Sequence, residues 1–189
     1  PEAVRIRNYG LRLLEKVLLL PDEEEKRKAL NFVIVGGGPT GVELAGALSE
    51  FKNFVLTKDY PELKKEWMNI YLIEASPRLL AMFSEESSAE AYRVLDKGGV
   101  KIYLDVQAKD YDGEEVKLSN GETIATKSFI WSAGVKGNAV EGLAPGVVQR
   151  NGRIEVNVFN QVKGYDNIFA IGDVAMVVYE EHARGYPML

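Results

Sequence analysis

The sequence predicts an α/β protein with a Rossmann-like parallel sheet, an antiparallel three-stranded meander within the crossover, and a partial further segment at its C-terminal end. Three observations carry this expectation. Phe32-Val33-Ile34-Val35 is a continuous, mostly β-branched apolar run, and Ile70–Ile73, Val100–Leu104 and Phe129–Ser132 read as further strands. Such runs read as strands covered on both faces, which parallel sheets require. Helical patterns alternate with them: after Pro39, apolar residues recur at Val42, Leu44, Ala45, Leu48 and Phe51, and a second helix is opened by the N-cap residue Ser84 and closed near Gly98-Gly99. Finally, Asp112-Gly113 and Asn120-Gly121 are hairpin turns between short runs at Val106–Tyr111, Val116–Leu118 and Thr123–Ala125.

The remaining elements follow in order. From Ala3 to Leu20, Ile6, Leu13, Leu14, Val17, Leu18 and Leu20 recur at mostly three- and four-residue spacing, an amphipathic helix that needs a partner for its apolar face. Pro21 and Asp22–Glu25 precede Lys26-Arg27-Lys28, so acids open and bases close a short solvated helix, with Glu23–Arg27 and Glu24–Lys28 at ion-pair spacing. Lys52–Asn69 is charged, contains Pro61, and reads as an irregular insertion carrying a short helix. Beyond Pro145, Asn151-Gly152 marks a turn, Ile154, Val156 and Val158 alternate, and Ile168–Ile171 reads as a last buried strand. The resulting boundaries are linker helices over 1–30, a main α/β domain over 31–144 and a returning segment over 145–189.

Composition narrows the chemistry. Among 189 residues, 23 Lys and Arg face 28 Asp and Glu, a net charge of −5 that argues against nucleic acid as a partner. The absence of cysteine removes disulfides, thiolate metal sites and iron–sulfur clusters from this stretch. The single histidine, His182, is close to the C-terminal end and is read as solvated, leaving no histidine cluster and no metal site. No apolar run approaches the ~20 residues of a membrane span, and with no secretory signal in view the expected location is cytoplasmic.

The chemistry-bearing motif is Gly36-Gly37-Gly38-Pro39-Thr40-Gly41, a Gly-x-Gly-x-x-Gly loop between a predicted strand and a predicted helix. Gly36 permits the tight turn, Gly38 lets a pyrophosphate reach the backbone, and Gly41 lets the helix pack closely. Pro39 and Thr40 open the helix, whose free N–H groups favour phosphate. An acid at the end of the next strand should accept hydrogen bonds from the adenine-ribose hydroxyls. Glu74 follows Ile70–Ile73, although it lies further along than the usual spacing of about 20 residues. Asp59, after Phe54-Val55-Leu56-Thr57, fits that spacing better but leaves almost no room to turn out of the preceding helix. A carboxylate at Glu74 repels a 2′-phosphate and favours NADH over NADPH, and Arg78 nearby opposes that preference.

With Val33–Gly46, Ile73-Glu74-Ala75 and Pro77-Arg78-Leu79-Leu80, the chain resembles the type II NADH dehydrogenases, of the FAD-dependent pyridine nucleotide-disulfide oxidoreductase superfamily. Ile130–Asn138 is similar to that family's segment beside bound NAD, which implies cofactor contacts at Ala133 and Gly134, while Val135 replaces the arginine usual in related disulfide reductases. Asn167–Ala175 is similar to the superfamily's second FAD motif. There Gly172 would let the flavin approach the backbone and Asp173 would accept from a ribityl hydroxyl; the competing structural role for Asp173 is a helix cap.

The resemblance implies hydride transfer from NADH to FAD and onward transfer to quinone in a respiratory chain. It gives Glu43 a catalytic role near the nicotinamide, against a purely helix-stabilising one. It also implies a peripheral enzyme on the cytoplasmic membrane face, with a homodimer as one arrangement. Only one glycine motif is present, and the family's quinone-facing region would follow Gly185-Tyr186-Pro187, so the expectation is a piece of a longer flavoprotein. Another FAD-dependent pyridine-nucleotide reductase and a non-catalytic dinucleotide sensor are the alternatives.

Overall fold

Strand β1 (Asn31–Val35) is the centre around which the first unit of the chain is built. Its side chains alternate between faces, and both faces are covered: Phe32 and Ile34 join one apolar cluster, Val33 and Val35 another. Strands β2 (Asn69–Ile73) and β3 (Val100–Tyr103) lie to one side and β7 (Ser128–Trp131) to the other, giving the order β3-β2-β1-β7 with parallel pairing throughout. The computed structural model describes residues 2–134 and 136–177. Val135, His182 and Gly185-Tyr186-Pro187, each singled out in the sequence, lie outside them.

Helices cover one face of the sheet. In α1 (Glu2–Leu18) Leu13, Leu14 and Val17 are buried, whereas Ile6, Leu11 and Leu18 stay exposed, so only its second half finds the partner the pattern called for. The Asp22 carboxylate caps α2 (Glu23–Ala29) by accepting from the Glu25 N–H at 2.8 Å. The Glu23–Arg27 pair forms at 3.9 Å, but Lys28 pairs with Glu114 on the opposite layer. Helix α3 (Pro39–Glu50) buries Gly41, Ala45 and Ser49, one residue per turn, and the Ser49 hydroxyl donates to the Gly98 carbonyl at 2.8 Å.

The insertion is mostly helical. A π-helical turn over Phe51–Leu56 runs into a single turn, α4 (Thr57–Asp59), and a 3₁₀ turn over Lys65–Trp67. Phe54–Thr57 is therefore not a strand, and Asp59 does not stand at a strand end. Helix α5 (Glu85–Lys97) begins at Ser84, which accepts from the Ser87 N–H as an N-cap.

The other face is covered by the meander of β4 (Ala108–Tyr111), β5 (Glu115–Leu118) and β6 (Thr123–Ala125). Val106, Val116, Leu118 and Ile124 pack with Val33, Val35 and Ile73. Thr126, fully buried, donates to the Asn31 carbonyl at 2.5 Å, and Asn31 returns a bond to the Ala125 carbonyl at 2.8 Å. Those bonds tie the meander's exit to the start of β1.

The chain forms two compact units, Pro1–Ala133 and Gly134–Leu189. In the second, β8 (Ile154–Val156) pairs in parallel with β9 (Ala175–Val177) over a cluster that includes Val147, Val162 and Ala170. One expectation is corrected. Ile168–Ile171 is not a buried strand: it makes only the isolated bridge Gln161↔Phe169, and Phe169 and Ile171 are 60% and 74% exposed. A short apolar run has no periodicity that tells a covered strand from a half-exposed one. Val158 is likewise exposed, because Asn157 ends β8 by accepting from the Phe159 and Gln161 N–H groups.

The meander's first turn predicts a pH response. Asp112 is held below the ordinary carboxylate range by the Glu114 and Glu115 amides, and Glu114 by the Lys28 ammonium. A lowered folded-state value means stability that is complete above the ordinary range and lost as pH falls through the lowered values. Thermal midpoints measured from neutral pH downward should fall more steeply for the native chain than for the Asp112→Ala, Glu114→Gln double variant; parallel profiles would contradict this.

Candidate functional site

The strand order places a switch point between β1 and β7: from β1 the chain crosses to β2 and β3 on one side, then to β7 on the other. In open α/β sheets a crevice opens there, at the carboxyl ends of the strands. The ends are stitched together. Ser132 donates its N–H and its hydroxyl to the Val35 carbonyl at 2.9 and 2.8 Å, and Gly36 donates to the Ile73 carbonyl at 2.8 Å.

The loop from β1 into α3 lies at this point, and its glycines differ in what surrounds them. Gly36 has φ +115°, and a Cβ there would sit 2.9 Å from the Ala133 nitrogen. A Cβ on Gly41 would sit 1.8 Å from the Gly36 carbonyl oxygen, a clash that no side-chain adjustment relieves. Both glycines are demanded by the protein's own packing. Gly38 is different: a Cβ there would meet no atom within 4 Å, and its φ of −76° is open to any residue. Nothing within the fold requires glycine at that position.

Gly38 is the N-cap of α3, Pro39 stands in the first turn, no side chain caps the helix end, and the first turn carries no acid. Pro39 and Thr40 are exposed. Gly38 is thus a bare approach to a helix terminus whose N–H groups and partial positive charge favour an anion.

Glu74 follows β2 directly, and its carboxylate folds back over the loop. Oε2 accepts from the Gly37 N–H at 2.5 Å and Oε1 from the Ser76 N–H at 2.7 Å. An ionised carboxylate offers about four lone-pair sites, so each oxygen keeps acceptor capacity. Arg78 is turned to its own loop, donating to the Phe83 and Ala81 carbonyls at 3.0 and 2.8 Å. Glu43 is exposed on α3, one turn beyond the loop.

Ala133 abuts Gly36, and Gly134 follows with φ +69°. A residue that sequence reasoning left without a role acts here: the Trp131 indole, 60% exposed, donates to the Ala133 carbonyl at 2.8 Å. A tryptophan at the carboxyl end of an apolar run is the signal available in the sequence.

In the second unit, Gly172 and Asp173 form an exposed 3₁₀ turn, Gly172–Val174, with φ +71° at Gly172. The turn leads into β9 rather than a helix, so Asp173 has no helix to cap. Behind it lies Arg153, 5% exposed, which sequence reasoning also missed. Its Nε donates to the Asp173 carbonyl at 3.1 Å and its Nη2 to the Ala175 carbonyl at 2.6 Å. Among the described residues no cluster of His, Cys, Asp and Glu could hold a metal, and no helix is long and apolar enough to cross a membrane.

Comparison with known proteins accords with this geometry. The pyridine nucleotide-disulphide oxidoreductase family matches residues 7–188. An external alternative NAD(P)H-ubiquinone oxidoreductase, B1, of Arabidopsis thaliana mitochondria is 33% identical over 93% of the chain and 32% of its own length. The type II NADH:quinone oxidoreductase NdhA of Mycobacterium tuberculosis is 31% identical over 93% of the chain and 39% of its own length. Among solved structures, NDH2 of Plasmodium falciparum in complex with NADH superposes with a TM-score of 0.76 at 26% identity, over 93% of this chain and 38% of that one. The chain thus spans about a third of the length of these relatives. Their names, NAD(P)H-ubiquinone oxidoreductase, type II NADH:quinone oxidoreductase and NDH2, agree with the resemblance that the sequence carries. Because the match extends over nearly the whole sequence and the switch-point geometry agrees with it, the chain belongs to the pyridine nucleotide-disulphide oxidoreductase family.

Proposed function

We propose that this chain is the NAD(H)-binding portion of a type II NADH dehydrogenase-like flavoprotein, which oxidises NADH through FAD and passes the electrons to quinone. The observation that carries the reading is Gly38. Glycine there serves no internal contact or backbone conformation, yet it stands at an uncapped helix terminus on the switch point. Close approach by the diphosphate of a dinucleotide accounts for it.

On this reading residues 31–144 bind NAD(H), 1–30 link to a flavin domain and 145–189 return to it. Gly36 and Gly41 shape the loop, while the Thr40 and Gly41 amides at the helix start face the diphosphate. Glu74 holds the loop through Gly37 and offers its remaining acceptor sites to the adenosine ribose hydroxyls. A 2′-phosphate would bring about two negative charges to that carboxylate, while the Arg78 guanidinium is held by the Ala81 and Phe83 carbonyls. Ala133 and Gly134, with the turn fixed by Trp131, border the nicotinamide half. When bound, FAD supplies the two-electron acceptor for the hydride. The chain's own part is to position the dinucleotide and exclude competing geometries. Gly172 and Asp173 fit the flavin's ribityl side: the turn is exposed, a Cβ on Gly172 would meet nothing, and the carboxylate can accept a hydroxyl hydrogen bond. Because quinones dissolve in lipid, the complete enzyme acts at a membrane surface as a peripheral protein.

Three outcomes test the reading. Gly38→Ala should keep the native fold, its stability changing by about 1 kcal/mol or less, and lose NADH binding. Gly41→Ala should instead lower the thermal midpoint; a Gly38→Ala chain that still binds NADH would contradict the proposal. Titration followed by nicotinamide fluorescence should show NADH binding more tightly than NADPH, with Glu74→Gln narrowing the gap. Tighter NADPH binding would remove Glu74 from its role. In the protein expressed from its complete reading frame, Glu43→Gln should slow flavin reduction by NADH in stopped-flow traces, whereas unchanged reduction and NADH affinity would leave Glu43 only its place on the helix.

A further inference from the structure

We infer that Arg153 is a positioning residue for the flavin contact at Gly172–Asp173, an inference that rests on reading that turn as flavin-binding. Arg153 is 5% exposed, and its guanidinium reaches the carbonyls of Asp173 and Ala175 at 3.1 and 2.6 Å. One carbonyl belongs to the turn that carries the carboxylate and the other to the first residue of β9. A planar fork with several fixed N–H directions can hold both at once; a lysine ammonium on a flexible stem is a poorer match. The Asp173 side chain remains exposed while its backbone is held from behind.

The base of Arg153 is itself immobilised. A Cβ on Gly137 would stand 2.5 Å from the Gly152 carbonyl oxygen, and one on Gly152 2.1 Å from the Gly137 carbonyl oxygen, so two backbones meet where neither can carry a side chain. The Gly137 N–H donates to the Asn151 carbonyl at 2.8 Å, and the Arg153 N–H to the Asn151 side chain at 3.1 Å. The segment entering this unit therefore fixes the turn that launches Arg153, and Arg153 fixes the turn that presents Asp173.

Burying a guanidinium carries a desolvation cost that an apolar side chain filling the same space would avoid. The parallel pairing of Ile154 with Ala175 already joins β8 to β9. What the arginine adds is a set direction for the residues just before β9. Its loss should therefore weaken flavin binding beyond any general loss of stability.

The test uses the protein expressed from its complete reading frame, stripped of flavin, as wild type, Arg153→Lys and Arg153→Met. FAD affinity is read from quenching of flavin fluorescence, and thermal midpoints are taken with and without FAD. Arg153→Met should bind FAD roughly tenfold more weakly, Arg153→Lys should fall between it and wild type, and the FAD-dependent rise in midpoint should shrink in the same order. NADH affinity should stay at the wild-type value. Wild-type FAD affinity in Arg153→Met, even with a lowered apoprotein midpoint, would overturn the inference. Should that variant not accumulate as folded protein, wild-type FAD affinity in Arg153→Lys would overturn it instead. A wild-type protein that binds no FAD would overturn the reading of Gly172–Asp173 itself, a result separable from any difference between the variants.

Discussion

The close approach of the β1–α3 loop to the end of β7 is the constraint on which the site depends. Gly36 must turn against Ala133, and Gly41 must let the helix lie on the Gly36 carbonyl. A Cβ at either position collides with backbone, so the helix terminus could not stand where it does. The same geometry leaves Gly38 exposed, where a Cβ would meet no atom within 4 Å. Gly36 and Gly41 thus answer to the packing of the loop, and on the proposed reading Gly38 answers to the ligand.

Around that loop the protein uses side chains to hold backbone rather than to present chemistry. Ser132 joins the β1 and β7 ends, Glu74 grips the Gly37 amide, Trp131 ties the Ala133 carbonyl, and in the second unit Arg153 holds Asp173 and Ala175. This suits a reaction whose bond-making belongs to cofactors, because positioning within a fraction of an ångström is then the protein's main contribution.

Much of this is legible in the sequence, and the physical reason is locality. The glycine loop, the Ser84 cap, the Asp112-Gly113 and Asn120-Gly121 turns and the apolar strands are each written in a few adjacent residues, and all four strands of the parallel sheet form where expected. What escaped was long-range or ambiguous in period. The Glu74 bond to Gly37 joins residues far apart in sequence, as does the Arg153 bond to Asp173, and no spacing rule announces either. Ile168–Ile171 reads as a buried strand in the sequence because a short apolar run looks the same whether one face or both are covered. The insertion after α3 continued as a π-helical turn because Phe51–Leu56 follows a helix without a breaking residue before Pro61.

The central claim, that the bare helix terminus at Gly38 receives a diphosphate, is tested most directly by amide chemical shifts. In ¹⁵N-labelled protein titrated with NADH, the Gly38, Thr40 and Gly41 amides should show the largest movements, and adding AMP, which lacks the diphosphate bridge, should move them far less. Saturable NADH binding that leaves those three amides where they began would contradict the account.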